Sequence, residues 1–138
     1  MAKRRDMLKL LPMAFLAAGN GRADTAKLPN TVIDPKNAKL TRDVFGEVRV
    51  YFEGSTDEVK SMTAGSLLLK PGMSPHPPHK HEEEELLVVI EGTGEITIND
   101  GKTPVGPGSM MYCAAGRVHG IQNTGKAPLL LYYSKWKA

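Results

Sequence analysis

Seven short runs of strand-forming residues, with turn signals standing between them, leave little room for anything but an all-β architecture. The runs lie at 44–52, 65–70, 85–91, 95–98, 109–113, 118–123 and 128–133, the first of them rich in β-branched and aromatic side chains. Between them stand Lys70-Pro71-Gly72, Glu91-Gly92-Thr93-Gly94, Asn99-Asp100-Gly101, Gly106-Pro107-Gly108 and Ala115-Gly116, residues that accept positive φ or preset a turn. Asn99-Asp100-Gly101 separates two strand-like runs and predicts a hairpin. No long amphipathic helix is evident after residue 23, and no repeat breaks the pattern. Many short strands with Gly and Pro turns predict a sandwich or a barrel.

The 138 residues suit one domain with a core of its own. Residues 24–40 read as a lead-in arm and 41–138 as the barrel domain. The pI near 9.0 suggests a nucleic-acid partner only until the basic residues are located. Five of the 18 cationic residues, Lys3, Arg4, Arg5, Lys9 and Arg22, and one of the 15 acidic residues, Asp6, fall within 1–23. The remainder carries 13 positive and 14 negative charges, a net of −1, so no nucleic-acid partner is expected.

Residues 1–23 combine a charged start, an apolar stretch over 8–18, and small residues at Gly21 and Ala23 that suit a cleavage point. Arg4-Arg5-Asp6-Met7-Leu8-Lys9 resembles the twin-arginine export signal. The expectation is a signal peptide and a periplasmic or exported protein, with a retained amphipathic helix as the other reading. The apolar stretch is too short to span a bilayer, and no membrane span is expected once it is removed. Cys113 is the one cysteine, so no internal disulfide can form and the fold must rest on its core.

Every histidine falls in one of two short stretches, three within His76-Pro77-Pro78-His79-Lys80-His81-Glu82-Glu83-Glu84-Glu85 and the fourth at His119. On an extended strand side chains alternate faces, so His79, His81 and Glu85 would share one face. Imidazole and carboxylate together suit Mn, Fe, Co, Ni, Cu or Zn. A carboxylate facing a barrel interior is costly, and a bound cation removes that cost. Glu82 and Glu84, on the other parity, read as a solvated edge, and Glu83 as an inward residue that water reaches at the strand mouth. His76 reads as a loop residue, with contact to metal or ligand as the alternative. Cys113 reads as a small buried hydrophobe. Met110, Met111, Tyr112, Leu87 and Val89 are expected to line or pack the barrel, Tyr112 alternatively donating a hydrogen bond to a bound ligand.

Gly72, six residues, His79, one residue, His81, three residues, Glu85, six residues and Gly92 resemble the first signature of the cupin family. Gly108, five residues, Ala114, one residue, Gly116, two residues, His119, three residues and Asn123 resemble the second. The first interval is one residue longer than the family pattern, and Ala114 stands where the pattern has proline. Neither departure touches a ligand position. The resemblance spans roughly residues 40–134 and implies a double-stranded β-helix, or jelly-roll, barrel. It also implies a divalent metal held by His79, His81, Glu85 and His119, with two positions of a six-coordinate ion left for water, oxygen or substrate, and chains that can pair as a homodimer through sheet edges.

Fold does not decide activity. The expected function is that of a metal-dependent enzyme, an oxidoreductase or dioxygenase, an isomerase or a lyase, acting on a small oxygen-rich molecule. The alternative is a non-catalytic module that binds a small molecule or a metal. Candidates for acid or base work are few: Tyr112, His76 and Glu83. An exported protein that folds before export can be metallated in the cytoplasm, which puts Mn or Fe ahead of Ni or Zn despite the affinity order, with Co and Cu also within the donor chemistry.

Overall fold

The computed structural model describes residues 27–138, so the expected signal peptide at 1–23 lies outside the described residues. Nine strands follow in order: β1 (Lys39–Asp43), β2 (Gly46–Gly54), β3 (Ser61–Leu69), β4 (Glu84–Glu91), β5 (Gly94–Ile98), β6 (Gly101–Val105), β7 (Met110–Cys113), β8 (His119–Asn123) and β9 (Leu129–Lys137). All pairings between them are antiparallel. A six-stranded sheet runs β1-β2-β3-β9-β4-β7 and a three-stranded sheet β6-β5-β8. This is the jelly-roll arrangement of two sheets expected for the chain. Among the described residues there is no helix, and so none long and apolar enough to cross a membrane.

The core is one alternation repeated on each strand. Leu67 and Leu69 of β3, Leu87 and Val89 of β4, Met111 and Cys113 of β7, and Leu129 and Leu131 of β9 face inward from the larger sheet; Ile96 of β5 and Ile121 of β8 meet them from the smaller one. Period-two side chains put one face of each sheet toward the other. The two sheets are tied at one end by Asn123, which is fully buried. Its side-chain amide donates to the carbonyls of Leu69, at 3.0 Å, and Ala127, at 2.9 Å, and its oxygen accepts the Gly125 N–H at 2.9 Å. One buried amide with all these partners is cheap to bury and expensive to remove.

The turns follow the sequence signals. Asn99 takes φ 52 in the two-residue link between β5 and β6. Gly92, at φ 86, packs so close to the next turn that a Cβ would lie 2.5 Å from the Pro128 carbonyl oxygen, so only glycine fits there.

Three differences from the sequence reading matter. Met110 and Tyr112, expected to line or pack the barrel, are 63% and 55% exposed. In Met110-Met111-Tyr112-Cys113 both parities are apolar, and of the four only Met111 and Cys113 are buried, as expected for those two. β9 continues past residue 133 to Lys137, its distal half carrying Lys135 and Trp136 on a sheet already paired on both sides by β3 and β4. β6 has no counterpart among the seven runs: it contains Pro104 and sits at a sheet edge, where a strand tolerates proline.

Candidate metal centre

β4 begins at Glu84, so His79 and His81 precede the strand instead of lying on it. What holds them is a pairing between the two histidine stretches. His79 and His119 form an isolated antiparallel bridge, with the chain bending at Glu82 and Glu83 before β4 starts. The Gly116 N–H donates to the His81 carbonyl at 2.8 Å, which fixes the turn before β8 to the same segment. Gly116 takes φ 73 in that turn.

Three imidazoles and one carboxylate converge. Ring centroids of His79 and His81 are 5.2 Å apart, of His79 and His119 5.1 Å, and of His81 and His119 4.8 Å. His81 Nε2 lies 3.3 Å from Glu85 Oε1, and His119 Nε2 lies 3.5 Å from Glu85 Oε2. Each carboxylate oxygen therefore faces a different imidazole. One donor atom from each histidine falls within a common 4.8 Å. Around an ion bonded at about 2.1 Å, donors stand roughly 3 to 4.2 Å apart, so shifts of less than about an ångström close the set.

The other ring nitrogens decide the tautomers. His81 Nδ1 donates to the Glu83 carbonyl at 3.0 Å and His119 Nδ1 to the Arg117 carbonyl at 3.1 Å. With Nδ1 carrying the proton, each Nε2 lone pair is turned toward Glu85, the arrangement found where histidine ligates a metal. His119 is 4% exposed, and its Nε2 is buried with no hydrogen-bond partner among the described residues. Such an atom is rare in a folded protein and marks a missing partner. A cation fits it, since the nearest group is an anion.

The electrostatics agree. Burial raises the Glu85 carboxyl, but the adjacent His119 and His81 imidazoles outweigh it and bring the group down to about 2, so it is an anion at neutral pH. His79 is pushed down to about 3, first by burial and then by the neighbouring imidazoles, and is neutral. Burial lowers His119, but Glu85 and the Arg117 carbonyl outweigh it and raise the group.

His76 joins this group without entering the four: its ring stacks on His79 at 3.6 Å, tilted by 30°. Glu83 is inward and half-buried, 3.7 Å from both His81 Nδ1 and Lys135 Nζ. Tyr112 is outside the pocket, its hydroxyl donating to Glu84 at 2.6 Å, which removes it from acid or base work here. Glu82 is the solvated edge residue expected, paired with Lys137 at 2.7 Å. Burial raises the Cys113 thiol, as expected for an inert hydrophobe.

Polar residues absent from the sequence reading line the same interior. Register places Glu53, Thr63, Lys135, Glu85 and Cys113 in one lateral row across β2, β3, β9, β4 and β7. The next row holds Gly65, Tyr133 and Leu87. Tyr133 lies against Gly65, where an added Cβ would stand 3.0 Å from its hydroxyl oxygen. Along β9, Tyr133 and Lys135 share the parity of Leu129 and Leu131, which is the signal the sequence held. A surface depression lined by Thr56, Asp57, Lys60 and Ala138 contains none of these groups.

Comparison with known proteins agrees with the fold. The family model described as Cupin domain matches residues 65–134. Among solved structures, an RmlC-like cupin from Shewanella frigidimarina superposes with a TM-score of 0.65 at 13% identity, covering 82% of this chain and 96% of that one. A predicted oxalate decarboxylase from Thermotoga maritima gives 0.60 at 23% identity, covering 78% and 100%. The Cnp3 cupin domain of Schizosaccharomyces pombe gives 0.59 at 18% identity; the match covers 67% of this chain and 61% of that one. No curated protein matches the chain.

Proposed function

This chain belongs to the cupin family, and from that premise we propose that it holds a divalent metal through His79, His81, Glu85 and His119 and acts as a metal-dependent enzyme on a small oxygen-rich molecule. The observation that carries the reading is the pair of Nε2 atoms, of His81 and His119, set against the two oxygens of one carboxylate, with the buried His119 Nε2 left without a hydrogen bond. Mn or Fe stands ahead of Ni or Zn in this reading. A bound ion would supply Lewis acidity or oxygen activation.

The chain's own residues have distinct tasks in this reading. The Glu83 and Arg117 carbonyls hold the rings of His81 and His119 in one tautomer. Leu87, Val89, Met111 and Leu131 exclude water from below the site. Glu83, Tyr133 and Lys135 form the polar wall that a ligand would meet, and Glu83, 3.7 Å from His81 Nδ1, would be the group that carries a proton. The neighbour described as a predicted oxalate decarboxylase makes small acids the first substrates to try. The reading extends to a protein exported folded by residues 1–23, with pairing of two chains through a sheet edge such as β1 or β7.

Oxygen uptake and product formation by the metal-loaded protein, across small chelating acids, phenols and sugars, test the proposal. Turnover of one class supports the enzyme. Tight binding with no turnover across the panel overturns it in favour of a binding module. Elemental analysis of protein exported by its own leader should show Mn or Fe, and stoichiometric Zn overturns that part.

A further inference from the structure

We infer that His76 is a positioning residue for His79, holding that ring in place by face-to-face contact where the other two histidines are held by hydrogen bonds. The inference rests on the metal reading of the site. His81 and His119 each anchor Nδ1 on a backbone carbonyl. Among the described residues, neither ring nitrogen of His79 has a hydrogen-bond partner. A ligand with no such anchor is free to rotate, and each rotamer lost on binding an ion weakens the binding. The His76 ring, 3.6 Å away and tilted by 30°, blocks that rotation on one face.

For this to work, His76 must itself be fixed. Its Nδ1 donates to the Pro77 carbonyl at 2.8 Å. Pro75, Pro77 and Pro78 surround it, and each ring locks its own φ. The loop is seated against β8 at Gly120, where an added Cβ would lie 3.1 Å from the Pro78 Cα, so the absent side chain is what allows the approach. The next residue, His79, is clamped to His119 by the backbone bridge. His76 is thus a short, doubly restrained platform. The contact needs a flat ring and no ligating atom, so phenylalanine should replace it and alanine should not.

The test is titration of the metal-free full chain and of H76A, H76F and H79A with Mn(II) and Zn(II) alone, followed by X-ray absorption to count bound imidazoles. H76A should bind each ion several-fold to roughly tenfold more weakly, with three imidazoles still bound. H76F should recover most of the wild-type affinity, and the metal-free unfolding midpoint should move in neither variant. H76A binding as the wild type does overturns the inference, as does H76F falling as far as H76A, which would make His76 a ligand. A wild-type chain that binds neither ion removes the metal reading itself, and this inference with it.

Discussion

His79 and His119, forty residues apart, exchange both of their backbone hydrogen bonds: the His79 N–H donates to the His119 carbonyl at 2.9 Å and the His119 N–H to the His79 carbonyl at 2.8 Å. This one bridge brings the two histidine stretches together, and their imidazoles follow at a centroid distance of 5.1 Å. Because the bridge is made by backbone, side-chain substitutions at the site should disturb ligation without parting the two segments.

His119→Ala therefore should abolish tight metal binding, a loss larger than the roughly 10–100-fold typical when only a supporting partner of a ligand is removed. The barrel should remain folded, since Ile121 and Asn123 still anchor β8. Metal content by elemental analysis and far-ultraviolet circular dichroism check the two halves. Unchanged metal content would remove His119 from the ligand set.

Leu131→Ala should cost about 2–5 kcal/mol, because Leu131, near the start of β9, is 1% exposed and its loss leaves a cavity between the sheets. Urea unfolding of the metal-free protein measures it, free of any contribution from a bound ion.

Tyr112→Phe should change stability by no more than about 0.5 kcal/mol and leave metal and ligand binding unaltered, since its hydroxyl serves only Glu84 at the exposed face. Tyr133→Phe, on the interior wall, should leave metal affinity near wild type but weaken ligand binding. Parallel titrations of the two variants separate the two faces.

Stability should fall in alkali. Burial raises the Tyr133 hydroxyl well above the ordinary tyrosine value, with Glu85 and Glu53 adding to it. Burial likewise raises Tyr51, and the Glu84 hydrogen bond raises Tyr112. Each is neutral when protonated, and its folded pKa lies above its unfolded value. The stability they contribute is present below about pH 10 and is lost as pH climbs through the folded values. Denaturant midpoints above and below pH 10, with tyrosinate absorbance as the monitor, should show this. Tyr133→Phe should flatten the curve, and an unchanged slope in that variant would refute the assignment.

Local chemistry in the sequence was enough for the all-β class, the hairpin at Asn99 and the turn at Gly92, because strand-forming runs and positive-φ residues are short-range properties; His119 joined His79, His81 and Glu85 only through the resemblance to the cupin signatures, and His79 and His81 precede β4 where alternation had put them on a strand. Local chemistry could not say which face of Met110-Met111-Tyr112-Cys113 points inward, since both parities are apolar and only pairing with β4 chooses between them. Nor could it place His76 on His79, or bring Lys135, Glu53 and Tyr133 beside Glu85. Those positions depend on register between strands distant in sequence, and register is settled by how whole sheet faces pack against each other.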